Sequence, residues 1–576
     1  MPIPEKRWVF PEPPGRERLR EIEQSLGCSP LLASLFLRRG LSSPVEARRF
    51  LEPSLEHFHD PFLLAGMLKA ADRLAQAVAD QEPITVFGDY DVDGVSSTAL
   101  LVSFFRSIGA KADYYIPHRI KEGYGLSQEG IEKALASGTK VIVTVDNGVA
   151  HPEEIRHAQK AGIDVIVTDH HQVPEEGSPA FAMVNPHQEG CTYPFKILAG
   201  SGLALNLAIA LRQRLRQAGR FRDQKEPNLK EFLDLACLGT IADLVPLRDV
   251  NRAISRFGIE EIRKTKRPGL AALLALATED PGGLSAEDVA FRICPRINAG
   301  GRLSDAQAAV ELLLTSDGAE ARMLAAQLDA HNAERKALEK EMAEEAIARV
   351  EEQGLDKLKA IVVWKEGWHP GVIGIVAARL VERYHRPAIV IGVLNGEAKG
   401  SARSVPGYNV YEGIKSASAH LEGFGGHAQA AGFSIDPSKI GAFAQDFESN
   451  ARAWIRPEHE EPLLQVDAEA APEDLTPRAA GEIESLAPFG MENPRPVLAV
   501  RSALLENARL LDGGHLKGQL RTPGGRLDVI GFRMADRLPQ GAFASTLVLD
   551  LAGVLEWNLW RGTRRLQFNV KDVRKP

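Results

Sequence analysis

At 576 residues, with 25% charged and 44% in the hydrophobic set, the chain has the balance of a soluble globular protein of three or four domains at roughly 100–200 residues each, which excludes a disordered or membrane chain. No apolar run approaches the ~20 residues that cross a bilayer, and Met1-Pro2-Ile3-Pro4-Glu5-Lys6-Arg7-Trp8 has no signal-peptide stretch, so a cytoplasmic protein with no membrane contact is expected. The formal net charge of −8 argues against a uniformly basic nucleic-acid surface, but a metal site and the stretch from Glu334 to Glu352 can hold much of that acidity and leave a local basic groove.

In chain order, residues 1–50 carry helical punctuation up to Leu41-Ser42-Ser43-Pro44, where Ser before Pro can start a helix, and read as an N-terminal helical adaptor. Residues 51–265 read as an α/β domain with a parallel sheet. Its strands are the β-branched runs Ile84-Thr85-Val86-Phe87, Val141-Ile142-Val143-Thr144-Val145 and Val165-Ile166-Val167-Thr168, each leading into aspartate. Residues 266–353 form a helical connector, with an uninterrupted helical pattern from about Gly318 to Gln353 that suits a link between two lobes. A second α/β domain, 354–456, begins at Ile361-Val362-Val363-Trp364, continues through Ala388-Ile389-Val390-Ile391 and reaches Gly423-Phe424-Gly425-Gly426-His427. Residues 457–576 are turn-rich and strand-like, as in a small β-barrel. Cys28, Cys191, Cys237 and Cys294 form no Cys-x-x-Cys pair, so neither a zinc knuckle nor a disulfide framework is indicated.

Strands of an open parallel sheet present their carboxyl ends along one edge, where ligands bind. That edge is acidic here: Asp89-Tyr90-Asp91-Val92-Asp93-Gly94, then Asp146-Asn147-Gly148, then Asp169-His170-His171, with Asp243 further on in the apolar run Leu238–Leu244. One such aspartate is usually a turn or helix cap. Three successive strand ends loaded alike are not explained that way, because crowded carboxylates are tolerable only with protons or cations among them. Oxygen ligands with one or two imidazoles and no thiolate suit two divalent cations, Mn²⁺ or the harder Mg²⁺, and a pair ~3.5–4 Å apart suits phosphoryl displacement.

These segments resemble the four motifs of the DHH phosphoesterase family. The resemblance implies a metal shell of Asp89, Asp91, Asp93, Asp146, His170 and Asp243, with His171 near the scissile phosphate and Asp169 supporting the histidines. Cys294-Pro295-Arg296-Ile297-Asn298-Ala299-Gly300-Gly301-Arg302-Leu303, Gly123-Tyr124-Gly125-Leu126 and Asn332-Ala333-Glu334-Arg335-Lys336 resemble the family's single-strand exonuclease branch. Cys294 for the usual Gly and Gly300 for Ala are departures that touch no charge. The second lobe resembles the DHHA1 domain through Trp368–Gly374, Gly400–Ser404 and Gly425–Gly432. The implied substrate contacts are Arg119, Arg296, Asn298, Arg302, Asn332, Arg335, His369, Ser401, Arg403, Gly425, Gly426 and His427. Read without the family, Gly425-Gly426-His427 is more simply a tight turn. The C-terminal region, with Pro488-Phe489-Gly490-Met491-Glu492-Asn493-Pro494 before it, resembles an OB fold. There Trp557, Trp560, Arg561, Arg564 and Arg565 form either a strand-binding hairpin or an ordinary one with core tryptophans.

The implied activity is 5′ to 3′ hydrolysis of single-stranded DNA to mononucleotides in recombination and repair, by a monomer whose partners are a single-strand-binding protein and a helicase. Two other readings compete. A DHH phosphodiesterase for short oligonucleotides or cyclic dinucleotides would not need the roughly 115 residues beyond the second lobe. A non-catalytic DNA-binding scaffold would not keep every expected ligand.

Overall fold

The structure is a computed structural model that describes residues 6–119, 121–303, 305–538, 546–560 and 563–576. The chain forms two compact units: Val45–Ala333 with Leu486–Arg495, and Met1–Pro44 with Glu334–Ser485 and Pro496–Pro576. Among the described residues, no helix is long and apolar enough to cross a membrane.

In the first unit a five-stranded sheet runs in the order Ala112–Tyr115, Ile84–Phe87, Val141–Val145, Asp164–Thr168, Ala182–Val184, every pair parallel. Ile84–Phe87 and Val141–Val145 are buried at every position, because helices cover both faces. That is why these strands read as unbroken apolar runs and not as alternating ones. The second strand in sequence lies on one side of the first and the third on the other, so the winding reverses between Ile84–Phe87 and Val141–Val145. Sheets of this kind bind ligands at that reversal, beyond the carboxyl ends. The helix Val92–Ser107 packs against these strands and Leu233–Ala242 packs on that helix in turn; both are buried along almost their whole length and bring polar side chains into the interior at their ends.

The second unit holds a five-stranded sheet in the order Leu421–His427, Ala430–Ile435, Glu397–Arg403, Ala388–Leu394, Ile361–Glu366, antiparallel except for its last pair. Ile389, Ile391, Phe433, Phe443 and Phe447 form its core. The tight-turn reading of Gly425-Gly426-His427 is corrected here: all three are strand residues, and the hairpin turns at Ala428-Gln429. The C-terminal strands Leu498–Leu511, His515–Thr522, Gly525–Gly531, Thr563–Arg574 and Thr546–Trp560 pair in a ring that closes between the last and the first, giving the expected barrel.

One element escapes sequence periodicity because it is three residues long. Arg7–Val9 pairs in parallel with Leu463–Gln465, and Trp8, 6% exposed, donates from Nε1 to Asp572 Oδ2 at 2.8 Å. The Arg574 guanidinium lies 4.6 Å over its ring. The chain's start is thereby stitched to the last barrel strand. Removing a buried Trp typically costs about 3–5 kcal/mol, so Trp8→Ala should destabilise the barrel-bearing unit by that order, read as a lower denaturant midpoint at an unchanged slope; an unchanged midpoint would show that the stitch carries no stability.

Candidate metal centre

Leaving the strand Ile84–Phe87, the chain turns into the helix Val92–Ser107 with Asp91 as N-cap, its Oδ1 accepting from Gly94 N at 3.0 Å. Asp89 and Asp93 flank the cap and are almost fully buried. Gly94 is required by this packing: a Cβ there would lie 2.6 Å from Asp89 N. Asp93 is received by the start of the helix Gly200–Gln217, with Gly200 N donating to Oδ2 at 2.6 Å and Ser201 N to Oδ1 at 2.9 Å. Helix-start amides are a natural anion seat. Side chains at Gly200 or Gly239 would collide with these acids. The sequence reading missed this seat, although Gly200-Ser201-Gly202 opening an apolar helical run was its signal.

Asp146 follows the strand Val141–Val145 in a left-handed conformation at φ 61°, an outlier of the kind held at functional sites. Among the described residues, ligand atoms within 4.8 Å of one another form three groups: Asp89, Asp91 and Asp146; Asp93, His170 and Asp243; Asp146, His170 and His171. Asp146 and His170 each belong to two groups, so the three interlock into one elongated centre. His170 Nε2 lies 3.0 Å from Asp146 Oδ1 and 3.7 Å from Asp243 Oδ2. The six residues expected as a metal shell are thus brought together.

The electrostatics show what the centre suits. Burial, then the neighbouring Asp91, lifts Asp89 well above the carboxylate range. Burial, then the charges of Asp93, Asp91, Asp243 and Asp89, does the same to Asp146. Asp93 is pushed up to about 6 by burial and Asp91, against the amides of Ser201 and Gly200, and Asp243 to about 9 by burial, Asp93 and Asp91. His170 is brought down to about 4 by burial and His171. Asp89 Oδ1 is buried without a hydrogen-bond partner. A donor set of carboxylates and imidazoles with an orphaned oxygen fits divalent cations such as Mn²⁺ or Mg²⁺.

His171 sits at the rim, its side chain 49% exposed. Asp169 Oδ1 lies 2.7 Å from its Nδ1 and also accepts its backbone N–H at 3.1 Å, while Asp169 Oδ2 accepts from Val149 N. Burial is the largest influence on His171 and opposes its charge, but the bond to Asp169 together with the charges of Asp169, Asp91 and Asp93 raises the imidazole; the bond and charge of His171, with the Val149 and His171 amides, hold Asp169 low against its own burial. The Tyr124 hydroxyl donates to Asp146 O at 2.6 Å and lies 3.3 Å from His171 Nδ1, which ties the Gly123–Leu126 segment to the centre.

The expected substrate residues divide between the units. In the first, the Arg119 guanidinium lies 4.8 Å over the Tyr90 ring, next to Asp89 and Asp91. Arg296, Asn298 and Arg302 lie on the helix Cys294–Leu303, where Gly301 packs so closely on Tyr90 that a Cβ would clash. Arg296 is engaged on all three nitrogens, by Asp329, Arg292 O and Leu276 O. Asn332 is buried.

In the second unit Arg335 pairs with Glu339 at 2.8 Å, and His369 Nδ1 accepts from Gly371 N. Strand register aligns Ser401, Gly432 and Gly425 in one row and Arg403, Ala430 and His427 in the next on the same face, with Gly426 between them. Gly425 has open space, and a Cβ on Gly374 would approach Ser401 Oγ at 2.9 Å and Arg403 Nη2 at 3.1 Å, so glycines keep this platform bare. On the barrel, Arg564 lies 4.7 Å over Trp557 and pairs with Glu484 at 2.7 Å, while exposed Arg565 lines a cleft of about 420 Å³ with Arg526. Arg561 and the side chain of Trp560 lie outside the described residues.

Carboxyls lifted above their ordinary value of 3.8 contribute stability that is full below that value and lost as pH climbs through the folded values; for Asp93 and Asp243 those are about 6 and about 9. His170 works the other way, its contribution present above 6.5 and lost as pH falls toward about 4. In chelator the thermal midpoint should therefore fall as pH rises from about 6.5 to 9. Mn²⁺ should restore it, with protons released on binding. A midpoint independent of pH in that window, or uptake without proton release, would contradict the crowding.

The chain matches three family models: the DHH family N-terminal domain over residues 83–240, the DHHA1 domain over 357–453 and the RecJ OB domain over 466–572. It is 41% identical over 571 residues to the single-stranded-DNA-specific exonuclease RecJ of Bacillus subtilis, covering 98% of this chain and 70% of that protein. Among solved structures, RecJ of Thermus thermophilus in complex with Mn²⁺ aligns with a TM-score of 0.84 at 33% identity, covering 99% of this chain and 80% of that one. Its complex with Mg²⁺ aligns at 0.78 and 32%, covering 99% and 78%. By sequence along nearly its full length, by its three matched domains and by its fold, the chain belongs to the RecJ family of DHH phosphoesterases.

Proposed function

We infer that the chain is a metal-dependent exonuclease that hydrolyses single-stranded DNA from its 5′ end to mononucleotides, in recombination and repair. The observation that carries this reading is the interlocked set of Asp89, Asp91, Asp146, Asp93, His170 and Asp243 at the sheet's winding reversal. Two divalent cations, Mn²⁺ first and Mg²⁺ as the alternative, would be held by these six. When bound they supply charge stabilisation to the phosphodiester as negative charge develops on it.

The chain's own groups do the rest. Gly200 and Ser201 amides hold the Asp93 carboxylate in register. Asp169 orients His171 and favours its protonated form, so that His171 can give a proton to the departing O3′ as a water oxygen joins phosphorus. Breaking the P–O3′ bond releases a nucleotide and leaves a phosphate on the shortened strand's new 5′ end. A grip on 5′-phosphate therefore serves every cycle, and Ser401, Arg403 and His427 with their bare glycine rows are the groups for it. The barrel of the strands between Leu498 and Arg574 would tether the strand by stacking and charge. Duplexes must be opened before such an enzyme acts, which supports a helicase and a single-strand-binding protein as partners of a cytoplasmic monomer.

Digestion of end-labelled single-stranded and duplex DNA with Mn²⁺ tests the reading. Asp91→Ala should abolish hydrolysis of single strands while leaving DNA binding in place. Arg403→Ala should slow 5′-phosphorylated strands about tenfold or more relative to 5′-hydroxyl ones, from a charged contact worth about 1.5–3 kcal/mol. Near-normal turnover by Asp91→Ala would remove the metal assignment, and equal losses on both strand ends would reduce Arg403 to a general backbone contact.

A further inference from the structure

The segment Leu486–Arg495 is unusual in its allegiance. Glu334–Ser485 before it and Pro496–Pro576 after it belong to the barrel-bearing unit, while this segment packs within the catalytic one. It contains the run Pro488-Phe489-Gly490-Met491-Glu492-Asn493-Pro494, to which no metal or substrate role falls. Asn493, 1% exposed, sets its shape by donating from Nδ2 to Leu486 O and Pro488 O, both at 2.8 Å, while Gly490 and Asn493 exchange backbone hydrogen bonds.

So shaped, the segment meets the turn that follows Asp243. Met491 O accepts from Leu247 N at 2.9 Å, Glu492 lies 3.2 Å from Arg248, and a Cβ on Gly490 would stand 2.6 Å from Leu247 Cδ1. One turn further along, Arg252, 2% exposed, donates to Ala487 O at 2.8 Å and to Phe50 O at 2.7 Å. Backbone strain gathers on both sides of this contact: Leu244, Asp249 and Glu492 stand at φ 56°, 47° and 55°. Non-glycine residues stay in that region only where their surroundings over-determine them. Asp243 is tied to the preceding helix by its backbone N–H to Gly239 O at 2.9 Å, and Leu244, 62% exposed, by its own to Ile241 O at 3.4 Å; past the helix, the turn is held by buried Val245 and Leu247 and by the bond to Met491.

We propose that Leu486–Arg495 is a positioning clasp for Asp243, holding its carboxylate beside Asp93 and His170 so that the cation affinity of that trio depends on a segment threaded out of the barrel. The inference rests on Asp243 being a metal ligand. Mn²⁺ titration of the full chain by calorimetry and electron paramagnetic resonance separates the two. Asp243→Asn should lose one of two binding steps; an unaltered isotherm would remove the ligand assignment itself. Asn493→Ala should weaken one step about tenfold and leave the other within a few-fold, with nuclease activity lost at low Mn²⁺ and recovered at high Mn²⁺. Arg248→Glu should do the same more mildly, and the swap Arg248→Glu with Glu492→Arg should restore it. With Asp243→Asn defective, unchanged binding in folded Asn493→Ala, or equal weakening of both steps, overturns the clasp. Should Asn493→Ala fail to fold, the Arg248 variants decide alone: Arg248→Glu binding as the parent does, or a swap that restores nothing, overturns it.

Discussion

Desolvated negative charge gathered at one point of the sheet is the constraint on which the rest depends. Asp89, Asp93 and Asp146 are all buried, and each is lifted by burial and by its neighbours. Such a cluster is unstable as four or five bare carboxylates, so the fold around it must supply either protons or cations. The helix-start amides at Gly200 and Ser201 offset part of the charge on Asp93 and leave the others unserved. A cation would satisfy the remainder, and His170, whose imidazole burial and His171 bring down to about 4, would be the matching nitrogen donor.

The glycines follow from the same constraint. Gly94, Gly200 and Gly239 each stand where a methyl group would strike Asp89, Asp146 or Asp93, so the acids approach one another only because the backbone beside them is bare. In the second unit Gly374, Gly425 and Gly432 play the corresponding part for Ser401 and Arg403 by leaving their face of the sheet open. Both sites are thus made by what is absent around a few polar side chains, on rigid strands and helix starts.

Much of this was legible in the sequence because it lies at strand ends. Val141–Val145 and Val165–Thr168 are continuous apolar runs, and an aspartate after each has one edge to occupy in a parallel sheet. Asp243 stood out in the sequence as a lone charge in the apolar run Leu238–Leu244, but its place among the other acids came only through resemblance, since it caps a helix far along the chain. What could not be read were contacts between distant segments: the Arg7–Val9 strand against Leu463–Gln465, the Gly200 amides under Asp93, and the Met491 carbonyl against Leu247. Arg296 illustrates the limit of side-chain type. A free arginine and one clamped between Asp329 and two carbonyls look alike in sequence.

The central claim is that the interlocked acids form one centre for two cations. Crystals grown with Mn²⁺ and measured near its absorption edge read this directly. Two anomalous peaks ~3.5–4 Å apart are expected, one among Asp89, Asp91 and Asp146 and one among Asp93, His170 and Asp243. A single peak, or two separated by much more than that distance, would contradict a two-cation centre.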